Sequence, residues 1–446
     1  MTRWTTRTPG LATRDHVVRV PLDHAAPGRD APHIEVYARE LVSPSALHPS
    51  GSAPESLPAL LFLQGGPGGR SPRPLGADTW LARALQEYRV VLLDQRGTGR
   101  STPATRQTLP LRGNPVEQAD YLAHFRADSI VRDAEILRAQ ILGPETPWTI
   151  LGQSFGGFCA FTYLSLAPEG VREALVTGGT PSLHATADEV YRAAYPRVAR
   201  KNHAHYARHP QDATTVRRIA EHLGEHDVRL PDRSPLTVER FQSLGLMLGE
   251  GHGSDRLHYL LEDAWVPGPG GPVLSDAFLS AAHQQLSFAG NPLFALLHEP
   301  IYAQRSVSPE GTRWAAQRVR AEYPEFDAQR ALQGDQPVLF TGEMIYPWTV
   351  EADPALQPLA ETAGLLAERT DWPDLYSPAR LAANEVPVHA AVYHDDMYVD
   401  RDHSLTTAGQ VPCVRTWITN EWEHDALRVS GGRVLDRLLG MSRGER

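Results

Sequence analysis

Cysteine is almost missing from this chain. Cys159 and Cys413 are the only two in 446 residues, too few for a disulfide framework, so the fold must rest on its own core. Lysine is scarcer still, with Lys201 alone among 43 basic residues, the rest being arginine. Against 53 acidic residues this leaves a net charge of −10 and no basic cluster, which excludes a phosphate-backbone or anionic-lipid partner. No apolar run reaches the roughly 20 residues of a membrane span. The first residues, Met1 to Pro9, hold no apolar core of signal-peptide length, so a cytoplasmic location is expected. There is no internal repeat and no low-complexity run. What remains, 41% apolar and 22% charged, is the composition of a globular protein with ample material for a core.

That material is patterned. His16–Pro21 and His33–Arg39 alternate with period two and predict two antiparallel strands. Ser43–Ser56 reads as a Ser/Pro/Ala/Gly loop. Short apolar runs near 59–63, 89–93, 148–151 and 173–177 then alternate with helical stretches such as Ile130–Leu142, whose apolar spacing is near 3.6. Strands alternating with helices predict a mostly parallel sheet covered on both faces. From about 185 to 334 helical periodicity dominates, in Tyr191–Tyr206, Thr215–His222 and Arg313–Glu322, with Gly268–Pro272 as a loop between helices. The expected organisation is a core over 1–180, a helical cap over 181–334 and a second core part over 335–446. Within the last part, Pro337–Thr341 could be a strand, yet four prolines after it argue for a loop-rich return.

Three motifs follow strands. Trp148–Leu151 runs into Gly152-Gln153-Ser154-Phe155-Gly156 and then an apolar helix, the strand–turn–helix order of a nucleophile elbow. The glycines allow a turn tight enough to stand the Ser154 hydroxyl clear of its backbone, and the helix aims its free N–H groups, Phe155 first, at a developing oxyanion. Ala59–Leu63 leads into Gln64-Gly65-Gly66-Pro67-Gly68-Gly69, a loop of uncovered amides in which Gly65 or Gly66 would supply the second oxyanion donor. It has neither the Gly-Lys-Ser/Thr ending nor the glycine spacing of a phosphate loop. Arg89–Leu93 ends in Asp94-Gln95-Arg96-Gly97-Thr98-Gly99-Arg100-Ser101.

An acid and a base must come after the serine, in that order. Pro387–Tyr393 ends in His394-Asp395-Asp396, and Cys413–Thr419 ends in Asn420–Asp425, each a loop at the carboxyl end of a strand. His424 is the expected base. Asp396 is the expected acid from its offset after Pro387, with Asp395 kept as the alternative. The densest set of possible metal ligands is His203, His205, His209, Glu221 and His222. It lacks a His pair at i,i+4 around a glutamate, so no metal site is expected, and His258 with Glu262 reads as a surface pair.

The three glycine-bearing motifs, with Val20–His24, Phe125–Asp133 and Asp395–Val399, closely resemble the larger branch of the prolyl aminopeptidases, or proline iminopeptidases, of the α/β-hydrolase fold. The likeness runs from about residue 17 to the carboxyl end and is sparse between Thr180 and Gln333. Gln64 stands where the family usually has histidine. The resemblance implies release of an amino-terminal proline from short peptides through a serine acyl-enzyme, without a cofactor. An exopeptidase also needs an anion for the substrate's cationic amine. His298-Glu299-Pro300-Ile301-Tyr302 looks like the family's Glu-x-x-Tyr cap segment, whose glutamate meets that amine; Glu262 and Glu343 are further candidates. Two other readings stay open: an esterase or amidase of the same fold acting on uncharged acyl groups, and a hydrolase-fold protein that binds a small ligand without turnover. Oligomeric state is not legible.

Overall fold

In the computed structural model, which describes residues 3–26, 28, 30–48 and 53–445, the alternating residues at the amino end form a meander. It comprises β1 (Thr5–Thr8), β2 (Leu11–Pro21) and β3 (His33–Val42). Pairing of β2 with β3 is antiparallel from Ala12 opposite Val42 to Pro21 opposite His33. Met1, Thr2 and residues 49–52 of the expected Ser43–Ser56 loop lie outside the described residues; the rest of that loop makes two short turns, Pro44–Leu47 and Pro54–Ser56.

The apolar runs become β4 (Ala59–Leu63), β5 (Arg89–Asp94), β6 (Trp148–Gln153) and β7 (Val171–Thr177). Every residue of β4, β5 and β6 is buried, because both faces of a parallel sheet are covered. Alternation sends Leu61, Leu63, Val91 and Ile150 to one face, against the helices Ala127–Leu142 and Phe155–Leu166. Leu60, Phe62, Val90 and Leu151 point the other way, against Trp80, Leu81, Leu435 and Leu438. Each such leucine is worth about 1.5–3 kcal/mol once buried.

After β7 comes a long helical excursion, interrupted by a two-stranded hairpin of β8 (Trp265–Gly268) and β9 (Gly271–Leu274). Gly268–Pro272, expected as a plain loop, is therefore the turn of this hairpin and parts of its strands. Helices Ala187–Arg208, Pro210–Glu225 and Gly253–Glu262 share one hydrophobic cluster that also takes in Val338, Leu339, Phe340 and Tyr346. Pro337–Thr341 is not a strand. Its backbone is held by side chains instead: Asn202 Nδ2 donates to Phe340 O at 2.9 Å, and Phe340 N donates to Asn202 Oδ1 at 2.7 Å. The chain returns through helices Pro347–Ala352, Ala360–Glu368 and Pro378–Ala382.

Last come β10 (Val388–Tyr393) and β11 (Val414–Thr419). The sheet order is β1-β2-β3-β5-β4-β6-β7-β10-β11, parallel from β5 to β11. From β4 the chain steps outward to β5, then returns to β4's other side for β6. That reversal opens a crevice at the carboxyl ends of β4 and β6, where open parallel sheets bind ligands.

Candidate active site

Ser154 sits in that crevice, between β6 and the helix Phe155–Leu166, with φ 55° and ψ −126°. A non-glycine residue in this region costs on the order of 1–3 kcal/mol and persists only when its surroundings over-determine it. Here they do. Ser154 N donates to Thr177 O at 3.0 Å, which pins the turn to the end of β7. A Cβ on Gly156 would lie 1.9 Å from Leu63 O, so glycine alone lets the elbow seat against β4. A Cβ on Gly65 would fall 2.9 Å from Ser154 Cβ, which places the glycine loop directly against the serine. Gln64, at the head of that loop, is held through its carbonyl, which accepts from Gln95 Nε2 at 3.0 Å. Phe155 opens the helix, so its N–H has no carbonyl within that helix to bond.

Asp396 and His424 meet. His424 Nδ1 lies 2.7 Å from Asp396 Oδ2, and both side chains are buried. Asp396 Oδ1 accepts from Tyr398 N at 2.8 Å and Val399 N at 3.1 Å, so the carboxylate is fully bonded. Asp395 points out, its side chain 54% exposed, and pairs with its neighbour His394. Burial pushes the His424 pKa down, but the Asp396 carboxylate, helped by Glu343, more than offsets this and raises it. The Tyr398 ring stands edge-on to the imidazole at 4.7 Å, and His424 N donates to Gly249 O at 3.3 Å. A Cβ on Gly178 would come 3.1 Å from His424 Nδ1, next to Thr177, where Ser154 is pinned.

The three glutamates have different fates. Glu262 is on the outer face of its helix, 57% exposed and 3.3 Å from His258, and is not brought to the site. Glu299 is buried, but both oxygens are in use: Oε2 accepts from Ala315 N at 3.0 Å and Oε1 from Ala316 N at 2.9 Å. Through these two bonds it caps the helix Ala315–Arg320. Burial nevertheless raises its pKa to about 7. Glu343 lies in a cavity walled by Arg240, Leu246, Gln285, Phe294 and Trp348. Part of its surface stays open to that cavity, yet it is deep enough for burial to raise its pKa to about 7, with Asp396 and His424 close enough to act on it.

Sequence reasoning missed the anchors. Arg197 binds Asp400 and Asp402, and Lys201 binds Glu423, so the helix Ala187–Arg208 holds both the loop of Asp396 and the loop of His424. Arg126, wholly buried, donates to Pro300 O, Ala303 O and Pro373 O. Only Arg126, within Phe125–Asp133, and Tyr398, within Asp395–Val399, left a trace in the motifs.

Fold and site define an α/β hydrolase, and the family described as alpha/beta hydrolase fold matches residues 58–271. A proline iminopeptidase of Aeromonas sobria is 50% identical over 434 residues, 97% of each chain. Another, from Aspergillus aculeatus, is 35% identical over 431 residues, covering 95% of this chain and 92% of that one. The chain belongs to the proline iminopeptidase family.

Proposed function

We propose that this enzyme is a prolyl aminopeptidase in which Ser154, His424 and Asp396 form the catalytic triad. The observation that carries the reading is the 2.7 Å contact of buried His424 with Asp396, against the Thr177–Gly178 turn that also holds the amide of Ser154. Asp396 keeps the proton on Nδ1 of His424 and leaves Nε2 as the base. Ser154 attacks the carbonyl of the first residue as His424 takes its proton, and the amides of Phe155 and Gly65 or Gly66 hold the oxyanion. His424 then protonates the departing amine, and water hydrolyses the proline ester. The raised pKa of His424 fits a group that must carry a proton between two steps.

Glu343 is the anion that meets the substrate's cationic amine. It is deep, open to a cavity and coupled to the triad, whereas Glu299 spends its oxygens on a helix end. A carboxylate in so dry a site discriminates strongly, because an uncharged substrate would leave it unpaired. This cavity is walled by residues between Arg240 and Thr349, and the helical excursion that supplies most of them acts as a cap that stops longer chains at the amine end.

Short peptides with a free amino-terminal proline are the substrates, and no cofactor enters the reaction. We place the enzyme in the cytoplasm. Cys413 is an exposed free thiol, which suits a reducing compartment, and among the described residues no helix is long and apolar enough to cross a membrane. The test is a panel of aminoacyl amides with free and blocked amino termini. Turnover of the free prolyl amide, with loss on blocking, is the expected result; equal rates on both would identify an esterase or amidase instead.

A further inference from the structure

A second cluster of chemistry lies in the helical excursion, away from the triad. His205 and His209 stand one turn apart at the end of the helix Ala187–Arg208, Asp212 opens the helix Pro210–Glu225, and His258 comes from Gly253–Glu262. One ligand atom each from His209, Asp212 and His258 lie within 4.8 Å of one another. His258 Nδ1 is 2.9 Å from Asp212 Oδ1 and 3.1 Å from Oδ2. His205 Nε2 is 3.1 Å from Asp212 Oδ2, on a side chain wholly shielded from solvent.

Two of these nitrogens make no hydrogen bond of good geometry: His205 Nε2 and His209 Nε2 are both buried, the first 3.1 Å from Asp212 Oδ2 and the second 3.4 Å from Asp255 Oδ1. Buried polar atoms are rarely left so unless an ion or water fills the gap. The other nitrogen of His205 is occupied, 2.8 Å from Ser254 Oγ, which turns Nε2 toward Asp212. On His258, Nε2 faces Glu262 Oε1 at 3.3 Å, leaving Nδ1 inward. Metal-bound histidines are held in this way, by a partner on the nitrogen that does not ligate.

We propose that His205, His209, Asp212 and His258 form a zinc site. Three imidazoles and one carboxylate suit a borderline divalent ion, and donors at about 2.0–2.2 Å from a tetrahedral zinc stand roughly 3.3 Å apart. The contacts to Asp212 already approach that spacing. His209, its ring stacked on His258 at 4.1 Å, offers a ligand atom within 4.8 Å of those of Asp212 and His258, and its Nε2 would exchange a 3.4 Å contact with Asp255 for the ion. With four protein donors and no open position, the site is structural. It staples the corner of two helices to a third, whose preceding turn supplies Gly249 O to the His424 amide.

The test uses the full chain, tag removed and metal stripped, titrated with Zn²⁺ by calorimetry and with Co²⁺ by visible absorption, turnover being followed alongside. One Zn²⁺ per chain with Kd of about 1 µM or tighter, the intense bands of four-coordinate Co²⁺ and a raised Tm are expected. His209→Gln and His258→Gln should each weaken binding by about tenfold or more, while His203→Gln, on an exposed neighbour, should not. Absence of saturable binding up to about 100 µM would overturn the site. So would binding unchanged in both variants with loss of turnover, which would put the ion on His424 and Asp396. If His258→Gln fails to fold, His209→Gln and the cobalt spectrum of the unaltered chain still decide.

Discussion

Arg197 Nε lies 2.5 Å from Asp400 Oδ2 and so ties the first long helix of the excursion to the loop that carries Asp396. Both side chains are less than a tenth exposed. Breaking such a pair strands a buried charge, at a cost of about 3–5 kcal/mol. Arg197→Met should therefore lower urea stability by that order and shift Asp396 out of register with His424, reducing kcat more than it raises KM. A loss under about 1 kcal/mol with normal kcat would reduce the pair to a surface contact.

Ser154→Ala should fold normally and lose turnover by about 10⁴-fold or more, since the nucleophile has no substitute. Activity above a hundredth of the unaltered enzyme on prolyl amides would move the nucleophile elsewhere.

The two adjacent aspartates should separate cleanly. Asp396→Asn removes the acceptor that fixes the His424 tautomer and should cost kcat about 10⁴-fold. Asp395→Asn loses only an exposed contact with His394 and should change kcat less than about threefold. The reverse ranking would reassign the acid.

Acid pH should act twice. As the proposed base His424 must be neutral, and its pKa is raised above 6.5, so kcat should fall as pH drops through a midpoint above that value. Glu343 is charged only above about 7, so KM should rise as pH falls through the same region. Glu343→Gln should raise KM for a prolyl amide roughly a hundredfold and flatten its pH dependence, sparing an acyl ester without an amine. Equal losses on both substrates would make Glu343 a scaffold residue.

Glu299 gives the opposite signature. Its folded pKa of about 7 stands above the 4.5 of an open carboxyl, so the folded state holds the proton more tightly. That stability is fully present below pH 4.5 and is lost as pH rises through 7, a change on the order of 3 kcal/mol. Glu299→Gln should lessen the fall of stability between pH 4.5 and 7, Glu343 supplying the remainder, and leave KM near normal. A hundredfold rise in KM would return the amine contact to Glu299.

What could be read in advance is what short-range physics decides. Alternation and apolar runs marked β2 to β7, because a strand's side chains take turns on its two faces whatever packs there. The serine turn was legible because glycine and a strained φ are demands of a few adjacent residues. The order of the proposed acid and base was read from strand ends. Which carboxylates reach the proposed site was decided elsewhere. Asp396 rather than Asp395 meets His424, a residue 28 positions on, because two amides capture its other oxygen. Glu299 sat in the more suggestive segment, but amides 16 and 17 residues away consume it, while Glu343, from a stretch that could be read as strand or loop, opens into the cavity. The histidine cluster followed the same rule: His205 and His209 share a helix face, yet Asp212 reaches them across a corner and His258 from 46 residues beyond it. Local sterics write themselves into neighbouring residues, whereas burial and charge depend on which distant segments the fold packs together.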